Sequence, residues 1–192
     1  MKCIIAGSGS DIAQGLSVRL RNDGWEVSGA AGHAAMVPLE PWDLMILAQG
    51  TLEPIGKFFD CGQQNWIESV RVNGLLPLAC LRKAWDQRNP NATVVFIAGP
   101  NLKHPTPTYS AYRAGKAMIA ALVETLGMEY PDTRFRILHP GVVNTKIHRQ
   151  SINAGARAAN FKRVMEIVNG VEKTVSHDQV YEKLKALLQE KQ

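Results

Sequence analysis

The alternation of short apolar runs with longer segments of helical period constrains this chain more than any single residue does. Residues 2–7 (Lys-Cys-Ile-Ile-Ala-Gly) read as a buried strand that runs directly into Ser8-Gly9-Ser10-Asp11-Ile12-Ala13. Ile12, Leu16 and Leu20 then recur at helical spacing, and Gly24 ends the segment. Further strands are expected at 25–29, 43–48, 92–98 and 134–139, with long helical patterns at 63–87 and 110–129. A chain that alternates in this way builds a parallel sheet with helices on both faces. The expected fold class is therefore α/β, a three-layer, doubly wound single domain over 1–192.

Two local patterns carry chemistry. Strand, small-residue turn and helix place backbone N–H groups and a helix N-terminus beneath a pyrophosphate, and small residues at Gly7, Gly9 and Ala13 let the backbone come close. The same glycines also fit ordinary turn chemistry. Tyr112 and Lys116 lie one helical turn apart and leave the same face. A phenol titrates near ~10 in water, and an ammonium beside it favours the phenolate, which suits acid-base work on a carbonyl or alcohol. Taken alone, the pair also fits a solvated helix.

In this order the pieces resemble the short-chain dehydrogenase/reductase family, from residue 1 to about residue 149. The family's glycine-rich turn is matched by Gly7 to Ala13, with Asp11 where a second glycine is usual. Its Asn-Asn-Ala-Gly turn is similar to Leu47-Ala48-Gln49-Gly50, with only the glycine kept. Its helix asparagine is matched by Asn73, its Tyr-x-x-x-Lys by Tyr112 and Lys116, and its Pro-Gly-x-Val-x-Thr by Pro140 to Thr145. The resemblance implies a Rossmann fold and a nicotinamide cofactor. Contacts to it would come from Gly7, Ser8, Gly9, Ser10, Asp11 and Ile12, from Ala48, Gln49 and Gly50, from Asn73, Tyr112 and Lys116, and from Pro140, Gly141, Val143 and Thr145. It also implies that Tyr112 is the acid or base and that Lys116 lowers its pKa and holds the ribose. Asn73 would support a water that relays protons to Lys116, although an asparagine there also reads as a local helix break.

The chain departs from the family in four places. The serine that orients the substrate carbonyl falls on Gly99, which has no hydroxyl. Asn101 is the first candidate substitute, followed by His104, Thr106, Thr108 and Ser110, the last of which also reads as a helix N-cap. Gly99→Ser is expected to raise turnover unless glycine is needed there for a positive dihedral. The second strand has no carboxylate for a ribose diol between Glu26 and Glu40, and only Ser28 and His33 lie near, so NADP is favoured over NAD, unless this loop barely touches the ribose. Residues 30–42, with Pro38 and Pro41, are too few for the usual crossover helix. A helix over 176–189 is followed by almost no chain, so a compact variant with about six strands rather than seven, and an altered subunit edge, is expected.

Charge and composition bound the partners. The formal net charge is +5, and residues 133–165 hold Arg134, Arg136, Lys146, Arg149, Arg157, Lys162 and Arg163 with no acid. By resemblance 146–170 covers the substrate, which points to an anion such as a phosphorylated sugar, a nucleotide sugar or an acyl-carrier conjugate. A plain solvated basic face fits as well. Nucleic acid is disfavoured, because no aromatic residues are interleaved with these bases. Cys3, Cys61 and Cys80 are scattered and odd in number, and no apolar run has export or membrane-spanning length, so a cytoplasmic protein is expected. His139 and His148 lack partners at ligand spacing, and no metal is expected. Leu76, Leu78, Ala79, Met118, Ala121 and Leu122 make two helices apolar on more than one side, which by resemblance implies a homodimer. Two functions stay open: a nicotinamide-dependent reductase, and a nucleotide-sensing or partner-binding protein that has lost efficient chemistry.

Overall fold

The computed structural model describes residues 1–32, 36–99 and 105–190. Strands β1 (Lys2–Ala6), β2 (Glu26–Ala30), β3 (Trp42–Leu47), β4 (Arg88–Ile97) and β5 (Arg134–Leu138) form one parallel sheet in the order β2-β1-β3-β4-β5. Period-two alternation divides its central residues between two cores. Ile4, Ala6, Met45, Leu47, Val94 and Phe96 face helices α3 (Leu76–Ala84) and α4 (Ser110–Glu129), together with Leu76, Cys80, Ile119 and Val123. Cys3, Ile5, Leu44, Ile46, Val95 and Ile97 face α1 (Asp11–Asn22) and α7 (His177–Gln189), together with Leu16, Leu20, Val180 and Leu184. Burial on both faces is why these strands read as unbroken apolar runs.

Among the described residues the sheet holds five strands, not six. The described part of 31–41 forms neither helix nor strand, and the next strand, β3, lies on the far side of β1 from β2. No strand follows α7 among the described residues. Strand β4 starts at Arg88 rather than at residue 92, with a register shift against β3 and Asn91 at φ 62°. The order reverses between β1 and β3, so the loops after these two strands meet at the carboxyl edge of the sheet, where ligands of open α/β sheets bind.

The expected continuous helix over 63–87 is also corrected. It consists of α2 (Gln63–Val70), a π-helical turn over Arg71–Leu75, and α3. The Asn73 side chain donates to the Ser69 carbonyl at 2.9 Å, the group that an α-helix would reserve for the Asn73 backbone N–H. Pro77, four residues on, has no N–H to return to the Asn73 carbonyl. Both effects widen the helix at one point. Helix α4 crosses this turn so closely that a Cβ on Gly115 would lie 2.6 Å from the Asn73 Cβ.

Helix α7 carries a Ser176/Gln179 capping box and is tied to α1 by Arg19–Asp178 (2.6 Å), with Tyr181 donating to Asp23 just beyond it (2.8 Å). No helix of the described residues is long and apolar enough to cross a membrane.

Candidate active site

The glycine turn closes β1 against β3. Gly7 has φ +79°, and a Cβ there would stand 2.7 Å from the Gln49 nitrogen, so both the dihedral and the contact require glycine. Gly7 N and Ser8 N donate to the Ala30 carbonyl (2.9 and 3.1 Å), and Ser10 caps α1 by accepting from Ala13 N at 3.2 Å. The other first-turn N–H groups of α1 have no intrahelical acceptor. A cleft of 410 Å³ opens there, lined by Asp11, Asn144, Thr145, Lys146, Arg149 and Val168.

Asp11 puts a carboxylate where a phosphate would be drawn. That carboxylate accepts from the Lys146 backbone N–H at 2.6 Å and pairs with Lys146 Nζ at 3.4 Å, while Nζ also donates to the Gly9 carbonyl. Lys146 thereby offsets the charge of Asp11, and exposed Arg149 is matched by no ion pair among the described residues. A glycine cradle, a helix start and these cations fit a dinucleotide's phosphates.

Three predicted groups converge at the carboxyl ends of β3 and β4. Lys116 is 9% exposed, and its Nζ donates to the carbonyls of Gln49 (3.1 Å) and Ile97 (3.0 Å), which burial accompanies with a pKa drawn down to about 8. Asn73 is fully buried, donates to Thr51 O (2.8 Å) and accepts from Thr51 N (3.2 Å). Gly50 stands between them: a Cβ there would be 3.2 Å from Asn73 Oδ1 and 3.8 Å from Lys116 Nζ. Tyr112 lies beside them, 8% exposed, and burial pushes its phenol above the usual range. Two of the three ammonium protons of Lys116 go to these carbonyls, and the raised phenol of Tyr112 reflects its burial alone.

The segment from Pro140 to Thr145 reaches the cleft at the start of α1 through Asn144 and Thr145. Gly141 has φ +82°, Val175 N donates to Val142 O at 2.8 Å, and Lys183 Nζ donates to the carbonyls of His139 and Pro140 (3.3 and 3.2 Å). Val143 is buried in the core beneath. Ala48 is buried there too, and Ile12 packs against the same cluster, so these two act through their backbone if they meet a ligand.

The profile of the short chain dehydrogenase family matches residues 29–156, the stretch that carries Asn73, Tyr112, Lys116 and the segment from Pro140 to Thr145 but not the glycine turn. The chain belongs to the short-chain dehydrogenase family. It is similar to an uncharacterized oxidoreductase of Schizosaccharomyces pombe, with 31% identity over 129 residues that cover 67% of this chain and 52% of that one. This short-chain dehydrogenase thus spans about half of that relative's length. In fold it is similar to a small-chain dehydrogenase crystallised with NADPH (TM-score 0.82, 15% identity, 99% of this chain and 91% of that one). It is likewise similar to an NAD+-bound xylitol dehydrogenase (TM-score 0.79, 15% identity, 98% and 92%).

Within this family the empty serine position at Gly99 stands out. Its dihedral is not positive, so the backbone conformation does not demand glycine. None of the described substitutes reaches Tyr112: Thr106 and Ser110 line a groove on the outer face of α4, and the Thr108 hydroxyl accepts from Ala159 N at 3.1 Å. Ser110 is not the cap of α4, which follows Tyr109, and its hydroxyl accepts from Trp66 Nε1 at 3.0 Å. Asn101, His104 and His33 lie outside the described residues.

The acid-free basic stretch is partly neutralised from elsewhere in the chain: Lys146 by Asp11, Arg163 by Glu172 (2.8 Å) and Arg136 by Glu190 (3.8 Å). Only the fold brings those acids to it. Thr51, Tyr109 and Gln150, which no motif marks, also turn out to contact the site's supports. Among the described residues no group of three or more His, Cys, Asp or Glu side chains is placed to hold a metal.

Proposed function

We propose that this short-chain dehydrogenase transfers a hydride between a nicotinamide cofactor and a carbonyl or secondary alcohol. The observation that carries the reading is the convergence of Tyr112, Lys116 and Asn73 beside the glycine turn, where α4 and the π-helical turn cross. The bound nicotinamide supplies or accepts the hydride. Tyr112 gives its phenolic proton to the carbonyl oxygen in reduction and takes one from the alcohol in oxidation. Lys116, anchored by two carbonyls, keeps one ammonium proton for a ribose hydroxyl or for the phenol. Asn73 keeps the turn after β3 in place through its two bonds to the Thr51 backbone.

NADP is favoured over NAD, because no carboxylate stands between Glu26, at the start of β2, and Glu40, so the end of β2 offers none to a ribose diol. Residues 146–170 form the substrate lid, and its exposed Arg149, Arg157 and Lys162 favour an anionic substrate. A homodimer through α3 and α4, a single domain and a cytoplasmic setting complete the reading. Absorbance of NADPH and NADH, followed across phosphorylated and unphosphorylated carbonyl compounds with Tyr112→Phe as control, tests it.

A second reading, nucleotide binding without efficient turnover, is favoured by the missing hydroxyl at Gly99 and the buried, raised phenol of Tyr112. Tight NADPH binding by protein fluorescence, with no turnover on the whole panel, supports that reading.

A further inference from the structure

Helix α5 (His148–Ala154) carries two adjacent polar side chains that hold two different parts of the candidate site. The amide of Gln150 accepts from Leu52 N at 2.7 Å and donates to the Thr51 hydroxyl at 3.2 Å. Thr51 is the residue whose backbone N and O are both bound by the Asn73 side chain. The next residue, Ser151, is fully buried and shares a 2.8 Å hydrogen bond with the hydroxyl of Tyr109. Tyr109 immediately precedes α4, three residues before Tyr112, and its hydroxyl donates to Asn160 at the start of α6 (Phe161–Val168).

We propose that Gln150 and Tyr109 are positioning residues that lock the α5–α6 pair onto Asn73 and the start of α4 as one hydrogen-bonded unit. The proposal rests on the function proposed above and adds residues to it. A small apolar cluster of Ile55, Tyr109, Ala154 and Ala158, with Leu52 and Phe161 against it, surrounds the buried Tyr109–Ser151 bond, while the Gln150 bonds are partly buried. Polar groups buried in this way are costly to leave unmade, so the unit resists partial opening. Loosening α5 releases the Thr51 hydroxyl, and the turn that the Asn73 amide grips loses its second support. Catalysis is sensitive to misplacements of about 1 Å. The unit therefore ties the shape of the substrate pocket to the placement of the proton-relay asparagine.

The test uses Gln150→Leu, Thr51→Val and Tyr109→Phe, which remove polar atoms and little volume, with Gln150→Glu as the conservative variant that keeps an acceptor for Leu52 N. Hydrogen–deuterium exchange of the cofactor-free protein should show faster uptake in 148–161 in all three, and in 69–75 in Gln150→Leu and Thr51→Val. Gln150→Glu should restore most of the protection. In an assay where the wild type turns over, kcat should fall roughly tenfold or more while cofactor Kd stays within about twofold. Unchanged uptake at 69–75 in both Gln150→Leu and Thr51→Val overturns the proposal, as does an unchanged kcat. A wild type without turnover on any substrate counts against the proposed function instead, and the exchange data still decide the lock.

Discussion

The phenolic oxygen of Tyr112 rests against Gly99: a Cβ built on Gly99 would stand 2.6 Å from that oxygen and 3.0 Å from the ring carbon bearing it. Any side chain at 99 competes with the phenol for the end of β4. Gly99→Ser is therefore expected to lower turnover rather than raise it, and to destabilise by about 1–3 kcal/mol as an overpacked site. Steady-state rates and thermal midpoints of Gly99→Ser and Gly99→Ala check this. Higher turnover in the serine variant would mean that the phenol swings away from β4 when substrate binds.

Tyr112→Phe removes one oxygen and little packing. Hydride transfer should fall by about 10²–10⁴-fold with cofactor affinity retained, whereas Lys116→Met should damage both, since its ammonium also bridges the carbonyls of Gln49 and Ile97. Single-turnover absorbance together with fluorescence titration separates the two effects.

Burial draws Lys116 from 10.5 down to about 8, so between these values the unfolded chain holds a proton that the folded chain has shed. Stability contributed by this group should rise with pH from 8 towards 10.5, and its penalty is fully present below pH 8. The buried thiols of Cys3 and Cys80 work the other way, because burial raises them. The difference between wild type and Lys116→Met isolates the lysine: in urea melts the advantage of the methionine variant should be largest below pH 8 and shrink by pH 10.

Gly115→Ala would push its Cβ to within 2.6 Å of the Asn73 Cβ and 3.2 Å of the Asn73 carbonyl carbon. Backbone cannot yield as a flexible side-chain tip can, so a loss of about 1–3 kcal/mol is expected, with a fall in kcat as Asn73 is displaced from Lys116. Calorimetry and rates on the same preparation check both.

Arg149 and Arg157 should separate. Arg149 lines the cleft at the start of α1 with Asp11 and Lys146, so Arg149→Ala is expected to weaken cofactor binding severalfold, most at low salt. Arg157 is exposed outside that cleft, and Arg157→Ala should raise the KM of an anionic substrate with cofactor Kd unchanged. A panel of Kd and KM values at two ionic strengths distinguishes them.

Much of this was legible in order and period. The five expected strands became β1 to β5 within a residue or two at most ends, and the central β1, β3 and β4 were the plainest, because strands buried on both faces must be apolar throughout. The helix over Ser110–Glu129 matches its expected span, and Tyr112 and Lys116 share its buried face as a four-residue spacing requires. Pro77 four residues after Asn73 was a signal for the interrupted helix that periodicity alone passes over.

The sequence by itself determined the parallel α/β class, the glycine turn and the Tyr112–Lys116 pair, because those depend on local dihedrals and on spacing along one helix. Only the tertiary structure decided that the sheet stops at five strands among the described residues, that Asp11 is answered by Lys146 from 135 residues away, and that Gln150 and Tyr109 hold the site from outside every motif. It also decided that the phenol of Tyr112 fills the space left by Gly99. Such pairings join residues far apart in the chain, and what selects them is shape and burial after the sheet has closed, which no spacing along the chain encodes.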